Sequence, residues 1–264
     1  DKAVKANYAG MHRDPAELQT RKQGARADLQ NMKRPPKTIE PGLYLSYLAP
    51  RALSEILEMM DWGGFGLKSQ RTGQSPLILM QSEGRRLAPA VNISEHHGRG
   101  FVPPFTSEGF TMPERVNLVA DGAYRDALVG ARSAREYDAP VNARGEWPAS
   151  LDVAPGRLAA GGVINTLDTG LYLNNLWYLN FSDRNQARIT GMTRFACFWV
   201  EGGKIRAPVG VMRFDDSIFR MLGENLLGLT RERELLLDPG TYGGRSSQSV
   251  ELPGALIEDL AFTL

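Results

Sequence analysis

Residues 192–214, MTRFACFWVEGGKIRAPVGVMRF, decide the fold more than any other stretch of the chain. Two runs rich in aromatic and β-branched residues flank a Glu-Gly-Gly sequence at positions 201–203. Glycines between two such runs are typical of a β-hairpin. The sequence therefore predicts two antiparallel strands that turn at residues 201–203.

Further strands and a few helices are predicted on either side of this hairpin. Residues 164–181 alternate and are rich in aromatic residues, residues 256–264 predict a final strand, and residues 115–129 predict a hairpin around Asp121-Gly122. Helices are predicted at residues 14–32, 50–60 and 215–229, the last with Asp215, Asp216 or Ser217 as its N-cap. Many strands without βαβ alternation predict an α+β fold with a large antiparallel, barrel-like sheet and a few packed helices.

The composition excludes some classes of protein. The chain of 264 residues is 42% apolar and 23% charged, with a net charge of +1. A charge near zero and the lack of a basic stripe argue against nucleic-acid binding, and no apolar run approaches the roughly 20 residues of a membrane helix. A single cysteine, Cys197, excludes an internal disulfide and is compatible with a reducing cytoplasm.

The start of the chain suggests two domains. DKAVKANYAG has neither an initiator methionine nor an apolar signal core, and three prolines and a glycine follow within residues 33–42. We expect residues 1–38 to be the helical tail of a preceding domain plus a linker, and residues 39–264 to form the main domain. On this interpretation the chain is the C-terminal part of a longer protein.

No catalytic set can be assembled from the residues alone. Adjacent His96 and His97, after Glu95, would point apart on a regular element, so a polar surface loop is the expectation and a metal site the alternative. Cys197 lies among aromatic residues and is expected to be a small buried side chain rather than a nucleophile. The glycines of residues 62–66 follow a helix, which argues for a helix stop rather than a phosphate loop.

Three arginines at strand ends are candidates for contact with a peptide or a partner. Arg184, Arg188 and Arg194 frame residues 181–194, FSDRNQARITGMTR. Their guanidinium groups could bind a peptide carboxylate or a partner surface. The alternative, which the sequence favours equally, is that they are solvated side chains at strand ends without a ligand.

An ordered set of segments resembles the C-terminal region of the TldD/PmbA family, also called TldE or modulator of DNA gyrase. The segments are PGLYLSYLAPRALSEIL, QSPLILM, the stretch from TSEGF to SAREY, the stretch from ITGMT to FRML, and GTYGGRSSQSVELPGALI. Together they cover roughly residues 39–264. The resemblance implies a zinc peptidase fold built from two related subunits. One kind of subunit carries a His-Glu-x-x-x-His helix and a later cysteine in a Gly-Thr-Cys-Gly loop, and the other kind lacks these ligands.

In this chain, the segments that correspond to the family's metal-binding helix and to its cysteine loop both lack the metal ligands. The family's helix would fall near residues 49–66, which hold Glu55, Glu58 and Met59 but no histidine, and the ligand cysteine would fall at Tyr242. A neutral phenol with a pKa near 10 replaces a thiolate poorly. The resemblance therefore implies a chain without metal or other cofactor, whose TldD-like catalytic partner brings zinc.

Three functions follow from these expectations. The favoured one is a non-catalytic PmbA/TldE-like subunit of a heterodimeric, cytoplasmic zinc metallopeptidase that degrades or processes unfolded or leader peptides. The alternative is a homodimeric binding or scaffold protein that has the family fold and no protease role. The third is an independent hydrolase that uses Glu95, His96 and His97 with a metal ion.

Overall fold

The computed structural model of the protein describes residues 3–238 and 240–263. Its helices are α1 (Pro15–Asn31), α2 (Pro50–Glu58), α3 (Leu67–Arg71), α4 (Ile78–Ser82), α5 (Ala131–Tyr137) and α6 (Val163–Leu167). Short 3-10 turns cover Met59–Asp61 and Ala160–Gly162, and a π-type turn covers Arg220–Glu224. None of the helices in the described part of the chain has the length and apolarity that a membrane span requires.

The described residues also form thirteen strands. They are β1 (Gly42–Leu48), β2 (Ile93–His96), β3 (Arg115–Ala120), β4 (Ala123–Tyr124), β5 (Ser150–Val153), β6 (Gly170–Leu173), β7 (Asn175–Asp183), β8 (Arg188–Arg194), β9 (Phe198–Val200), β10 (Ile205–Pro208), β11 (Arg213–Ser217), β12 (Leu226–Leu237) and β13 (Ser249–Phe262).

All thirteen strands belong to one mostly antiparallel sheet. Its main path runs β10-β9-β6-β1-β13-β5-β2-β3-β4, and only the pairs β1–β6 and β5–β13 on it are parallel. β12 pairs with β13, and β11 links β13 to β8, which pairs in turn with β7. The predicted α+β class and large antiparallel sheet are confirmed, and the sheet is open rather than closed into a barrel.

The core lies between the sheet and helix α2. Pro50 begins α2, and the buried Leu53, Ile56 and Leu57 form its apolar face. These side chains belong to a cluster that includes Phe214 of β11 and Ile257 of β13. The burial of this stripe removes apolar surface from water and fixes the polar face of α2 toward the ends of β12 and β13.

Several elements agree with the sequence prediction. Helix α1 has Asp14 as its N-cap, whose Oδ1 accepts hydrogen bonds from the backbone N–H groups of Ala16 (2.9 Å) and Glu17 (3.1 Å). The hairpin β3–β4 turns at Asp121-Gly122, and the hairpin β9–β10 turns at residues 201–203. The final strand is β13, and Leu264 at its predicted end lies outside the described residues.

The helix predicted at residues 215–229 is much longer than the observed one, because only residues 218–224 are helical. Asp215, Asp216 and Ser217 lie in strand β11, where they pair with β8 rather than cap a helix. The buried carboxylate of Asp216 accepts hydrogen bonds from Arg220 Nε at 2.9 Å and from the N–H group of Ala261 at 3.2 Å. Non-helical backbone angles at Gly223 then end the short π-type turn. Pairing with distant strands therefore outweighs a local apolar period that fits a helix.

The strand predicted at residues 164–181 is wrong in its first part. Residues 163–167 form helix α6, which ends at Asp168 with a positive φ of 46°. The strands β6 and β7 follow, and they are separated at residue 174. Val163 and Leu167 are buried four residues apart, so one helical face is enough to pack this segment.

Candidate functional site

A cavity of about 290 Å³ lies between helix α2 and the ends of β12 and β13. Its polar lining includes Arg51, Ser54, Glu58, Asp61, Asp238 and Gln248. Trp62, which is half exposed, stands at its rim. This cavity lies beside the helix at which the family resemblance places a metal site.

The polar side chains in the middle of α2 are already engaged by the protein. Ser54 Oγ donates a hydrogen bond to the carbonyl oxygen of Arg51 at 2.8 Å. The Glu55 carboxylate forms an ion pair with Arg51 Nε at 3.3 Å and accepts a hydrogen bond from the N–H group of Leu176 at 2.6 Å. Burial raises the pKa of Glu55, and Arg51 and Leu176 oppose that rise. Glu55 thus holds α2 against strand β7.

Asp61 is the carboxyl group that the cavity perturbs most. Burial raises the pKa of Asp61 to about 7, against the hydrogen bond that Gln248 Nε2 donates to it at 2.8 Å. The carboxylates of Glu58, Glu95 and Asp238 add to the rise. Asp61 can therefore exchange a proton near neutral pH, as perturbed carboxyl groups at functional sites do.

The residues of this site do not fit a zinc ion. Zinc needs three or four nitrogen, sulfur or oxygen donors at about 2.0–2.3 Å. Tyr242 is fully exposed and does not line the cavity, and the thioether of Met59 is buried in the core. Within residues 3–238 and 240–263, no group of three His, Cys, Asp or Glu side chains can hold a metal ion. No step of metal chemistry is therefore assigned to these side chains.

Glu95, His96 and His97 do not form the expected polar surface loop. Glu95 and His96 end the buried strand β2, and the side chains of Glu95 and His97 are each 1% exposed. Glu95 Oε1 accepts hydrogen bonds from the N–H groups of Ala149 (3.0 Å) and Ser150 (2.7 Å). The prediction fails because strand pairing buries this segment, and inside the fold the Glu95 carboxylate and His97 Nδ1 find hydrogen-bond partners.

His97 completes this buried group. Its Nδ1 donates a hydrogen bond to the carbonyl oxygen of Pro113 at 2.7 Å. Its Nε2 lies 3.4 Å from Glu95 Oε1, an ion-pair distance without the alignment of a hydrogen bond. Burial opposes protonation, but Glu95 and Pro113 outweigh it and raise the pKa of His97. For His96, burial and then Arg115 lower the pKa. The two imidazoles therefore have opposite electrostatic environments.

Cys197 is a buried structural residue, as predicted. Its Sγ lies 3.4 Å from the carbonyl oxygen of Asn175 and 3.2 Å from that of Arg194. Burial raises the pKa of the thiol, which disfavours the reactive thiolate.

The three candidate arginines do not converge on one site. Arg184 donates to the carbonyl oxygens of Gln74 (2.8 Å) and Trp62. Arg188 pairs with the carboxylate of Asp215. The Arg194 guanidinium lies over two aromatic rings. Its carbon atom is 3.8 Å from the ring centroid of Trp177 and 5.0 Å from the ring centroid of Phe195.

Sequence reasoning missed Asp61, Asp238 and Gln248. Asp61 and Gln248 are 187 positions apart and meet only because α2 packs on the end of β13. A carboxyl group directly after an amphipathic helix is the only local signal, and it is too common to single out Asp61.

Comparisons with known proteins identify the family and the fold. The family model of the PmbA/TldA metallopeptidase C-terminal domain matches residues 41–264. None of the curated proteins matches the chain. Several solved structures are similar in fold, and three of them are compared with this chain. TldE from Thermococcus kodakarensis has a TM-score of 0.77 at 13% identity, with 94% of this chain and 56% of that chain covered.

The other two solved structures carry a different description. One is a proposed modulator of a DNA gyrase from Thermotoga maritima, with a TM-score of 0.73 at 19% identity and with 95% of this chain and 56% of that chain covered. The other is a proposed modulator of DNA gyrase from Bacteroides thetaiotaomicron, with a TM-score of 0.72 at 16% identity and with 91% and 51% covered. The chain thus spans about half the length of these proteins. Because the family model matches most of the sequence, the chain belongs to the PmbA/TldA metallopeptidase family, whose C-terminal domain it contains.

Proposed function

We propose that the chain belongs to a PmbA/TldE-like subunit of a heterodimeric zinc metallopeptidase, and that a TldD-like catalytic subunit brings the zinc. One observation carries this proposal. Beside the cavity, Ser54 and Glu55 of α2 are hydrogen-bonded to other parts of the protein, and Tyr242 faces solvent. The described residues around the cavity do not form a group that could hold a metal ion. Zinc needs converging donors, which residues 3–238 and 240–263 do not offer, and a companion subunit that brings the ion would supply them.

The substrate class in this proposal is an unfolded or leader-type peptide, and the compartment is the cytoplasm. Strand β7 pairs only with β8 among the described strands, and α2 covers its start, where the N–H group of Leu176 donates to Glu55. The exposed residues of β7 from Trp177 onward are the surface that would contact an extended chain. The subunit would guide the peptide and enclose it together with the partner. The gyrase description belongs to the similar proteins, and a net charge of +1 gives no support for DNA contact by this chain.

Reconstitution tests the proposal. The full-length protein is purified alone and with a TldD-like homologue, and cleavage of an unfolded test peptide is measured for each subunit and for the mixture. We expect co-purification, and cleavage that needs both subunits and zinc. Failure to co-purify together with no gain in cleavage would contradict the proposal.

The scaffold alternative predicts a different result in the same experiment. A tight self-dimer that ignores the TldD-like homologue, measured by light scattering during size-exclusion chromatography, would favour it. The exposed aromatic side chains of Trp177 and Tyr178 on β7 are surface that such a dimer could bury.

A further inference from the structure

Arg194 differs from the other two arginines of this region because its charge has no partner. Among residues 3–238 and 240–263, its guanidinium forms neither a hydrogen bond nor an ion pair, whereas Arg188 is paired with Asp215 and Arg184 with backbone carbonyls. The side chain is half-buried. The protein therefore holds a cation in place without neutralising it.

Two aromatic rings hold that cation. The guanidinium carbon lies 3.8 Å from the ring centroid of Trp177 and 5.0 Å from that of Phe195. Stacking restrains the long side chain and leaves the in-plane N–H groups free for an acceptor. We call these three residues the arginine stack.

The backbone around the arginine stack is shaped by the fold rather than by local preference. Phe195 has a positive φ of 59° and Tyr178 one of 56°, values that bulky residues adopt only when their surroundings impose them. Strand β7 bulges against β8 between Trp177 and Asn180. Cys197 fixes the other side, since its N–H group donates to the carbonyl oxygen of Phe195 at 2.8 Å. The fold thus fixes the backbone on both sides of the guanidinium.

The ligand chemistry follows from this geometry. A planar guanidinium with free in-plane donors matches the two oxygens of a carboxylate, and bidentate pairs of this kind are short and strong. Trp177 and Tyr178 are 50% and 72% exposed, and they extend the site with apolar surface beside the guanidinium.

We propose that the arginine stack binds a carboxylate group of an extended peptide. The peptide's neighbouring apolar side chains contact Trp177 and Tyr178. This inference rests on the proposed function for its class of ligand, a peptide, and deepens it by naming the residue that binds the carboxylate. The site itself needs neither zinc nor a catalytic partner.

Calorimetric titration of the full-length protein with three short N-acetylated peptides of Ser, Thr and Val tests this site. The first peptide has an internal Asp and an amidated C-terminus, the second has no Asp and a free C-terminus, and the third has neither carboxylate. We expect the first, the second or both to bind at least about tenfold more tightly than the third. The difference between the first two identifies the source of the carboxylate.

Variants locate the binding. Arg194→Gln should weaken carboxylate binding about tenfold or more, and Arg194→Lys should restore only part of it because an ammonium lacks the planar fork. Trp177→Leu keeps the charge but removes one ring, and a loss of about fivefold is expected. Arg206→Gln is the matched control, because it removes an equal charge from an exposed arginine on β10 whose Nε donates to the carbonyl oxygen of Glu201, and it should change affinity by less than about twofold.

Three results would overturn the proposal. They are no binding of either carboxylate peptide at about 1 mM, equal binding of all three peptides, and full affinity in a folded Arg194→Gln protein. Each is measured without a peptidase partner, so none depends on the outcome of the reconstitution.

Discussion

Glu95 and Asp61 are both carboxyl groups enclosed by protein, yet their surroundings differ. Glu95 receives two backbone N–H groups and faces the imidazole of His97, with almost no contact with solvent. Asp61 receives one hydrogen bond from Gln248 and borders an open cavity with two further carboxylates. A buried charge that is fully partnered serves the fold, whereas one left partly unpartnered beside a cavity is available to a ligand.

The largest effect is expected for Glu95→Gln. The amide keeps an acceptor oxygen but loses the negative charge of the carboxylate. That charge faces His97, and it strengthens the hydrogen bonds from both backbone N–H groups. Removal of one partner of a buried pair costs about 3 kcal/mol of unfolding free energy. Urea denaturation near pH 6 measures it, and Glu258→Gln on the exposed side of β13 is the control, with a change below about 0.5 kcal/mol. Equal stability of the two variants would remove the structural role of Glu95.

His97 makes the same group depend on pH. Because its pKa is raised in the folded state, protonated His97 stabilises the protein fully below its unfolded pKa of about 6.5, and this contribution is lost as pH rises through the folded pKa. We expect the unfolding free energy to fall over that range, and His97→Gln should abolish the fall. Urea denaturation over a pH series measures it, with His12→Gln, at an exposed position, as the control. A pH profile of His97→Gln identical to that of the natural protein would show that the pair contributes nothing.

Substitution of Asp61 should stabilise the protein, whereas substitution of Glu95 should destabilise it. Its raised pKa means that ionisation is unfavourable in the folded protein, so the penalty grows from about pH 4 to its folded pKa of about 7 and then levels off. Asp61→Asn should therefore stabilise the protein by about 1–2 kcal/mol at pH 8 and by less at pH 5. Thermal unfolding at both pH values checks this, and Asp121→Asn in the exposed turn is the control. A destabilised Asp61→Asn at pH 8 would place Asp61 with Glu95 among the structural carboxylates.

Tyr242 should give the smallest effect. Its side chain is fully exposed, so Tyr242→Ala should change the unfolding free energy by less than about 0.5 kcal/mol. Tyr242→Cys restores the family's thiol but no further donors, so it should not create a tight zinc site. Denaturation and metal analysis check the two variants. Stoichiometric zinc in Tyr242→Cys would mean that the loop can turn inward.

Local patterns predicted much of the fold but little of the site. Asp14, the turn at Asp121-Gly122 and the apolar face of α2 are short-range signals, and each agrees with the structure. Both ends of the predicted helix at residues 215–229 belong to strands, because β11 pairs with β8 and β12 pairs with β13 from far along the chain. Pairings of this kind have no signature within a window of 15 residues.

The site depends on the same long-range contacts. Gln248 reaches Asp61 only through the packing of α2 against β13, and the partners of Glu95 lie 54 and 55 positions away. The family resemblance placed the metal-binding helix of its relatives near residue 50, beside the cavity. It could not reveal that Glu55 is held by Arg51 and Leu176.

The zinc content of the full-length protein tests the central claim most directly. The protein is equilibrated with excess zinc, desalted and analysed by inductively coupled plasma mass spectrometry. If its side chains supply too few converging donors, about 0.1 zinc ions per chain or fewer should remain. One tightly held zinc ion per chain, lost on substitution of Asp61 or Asp238, would contradict the account.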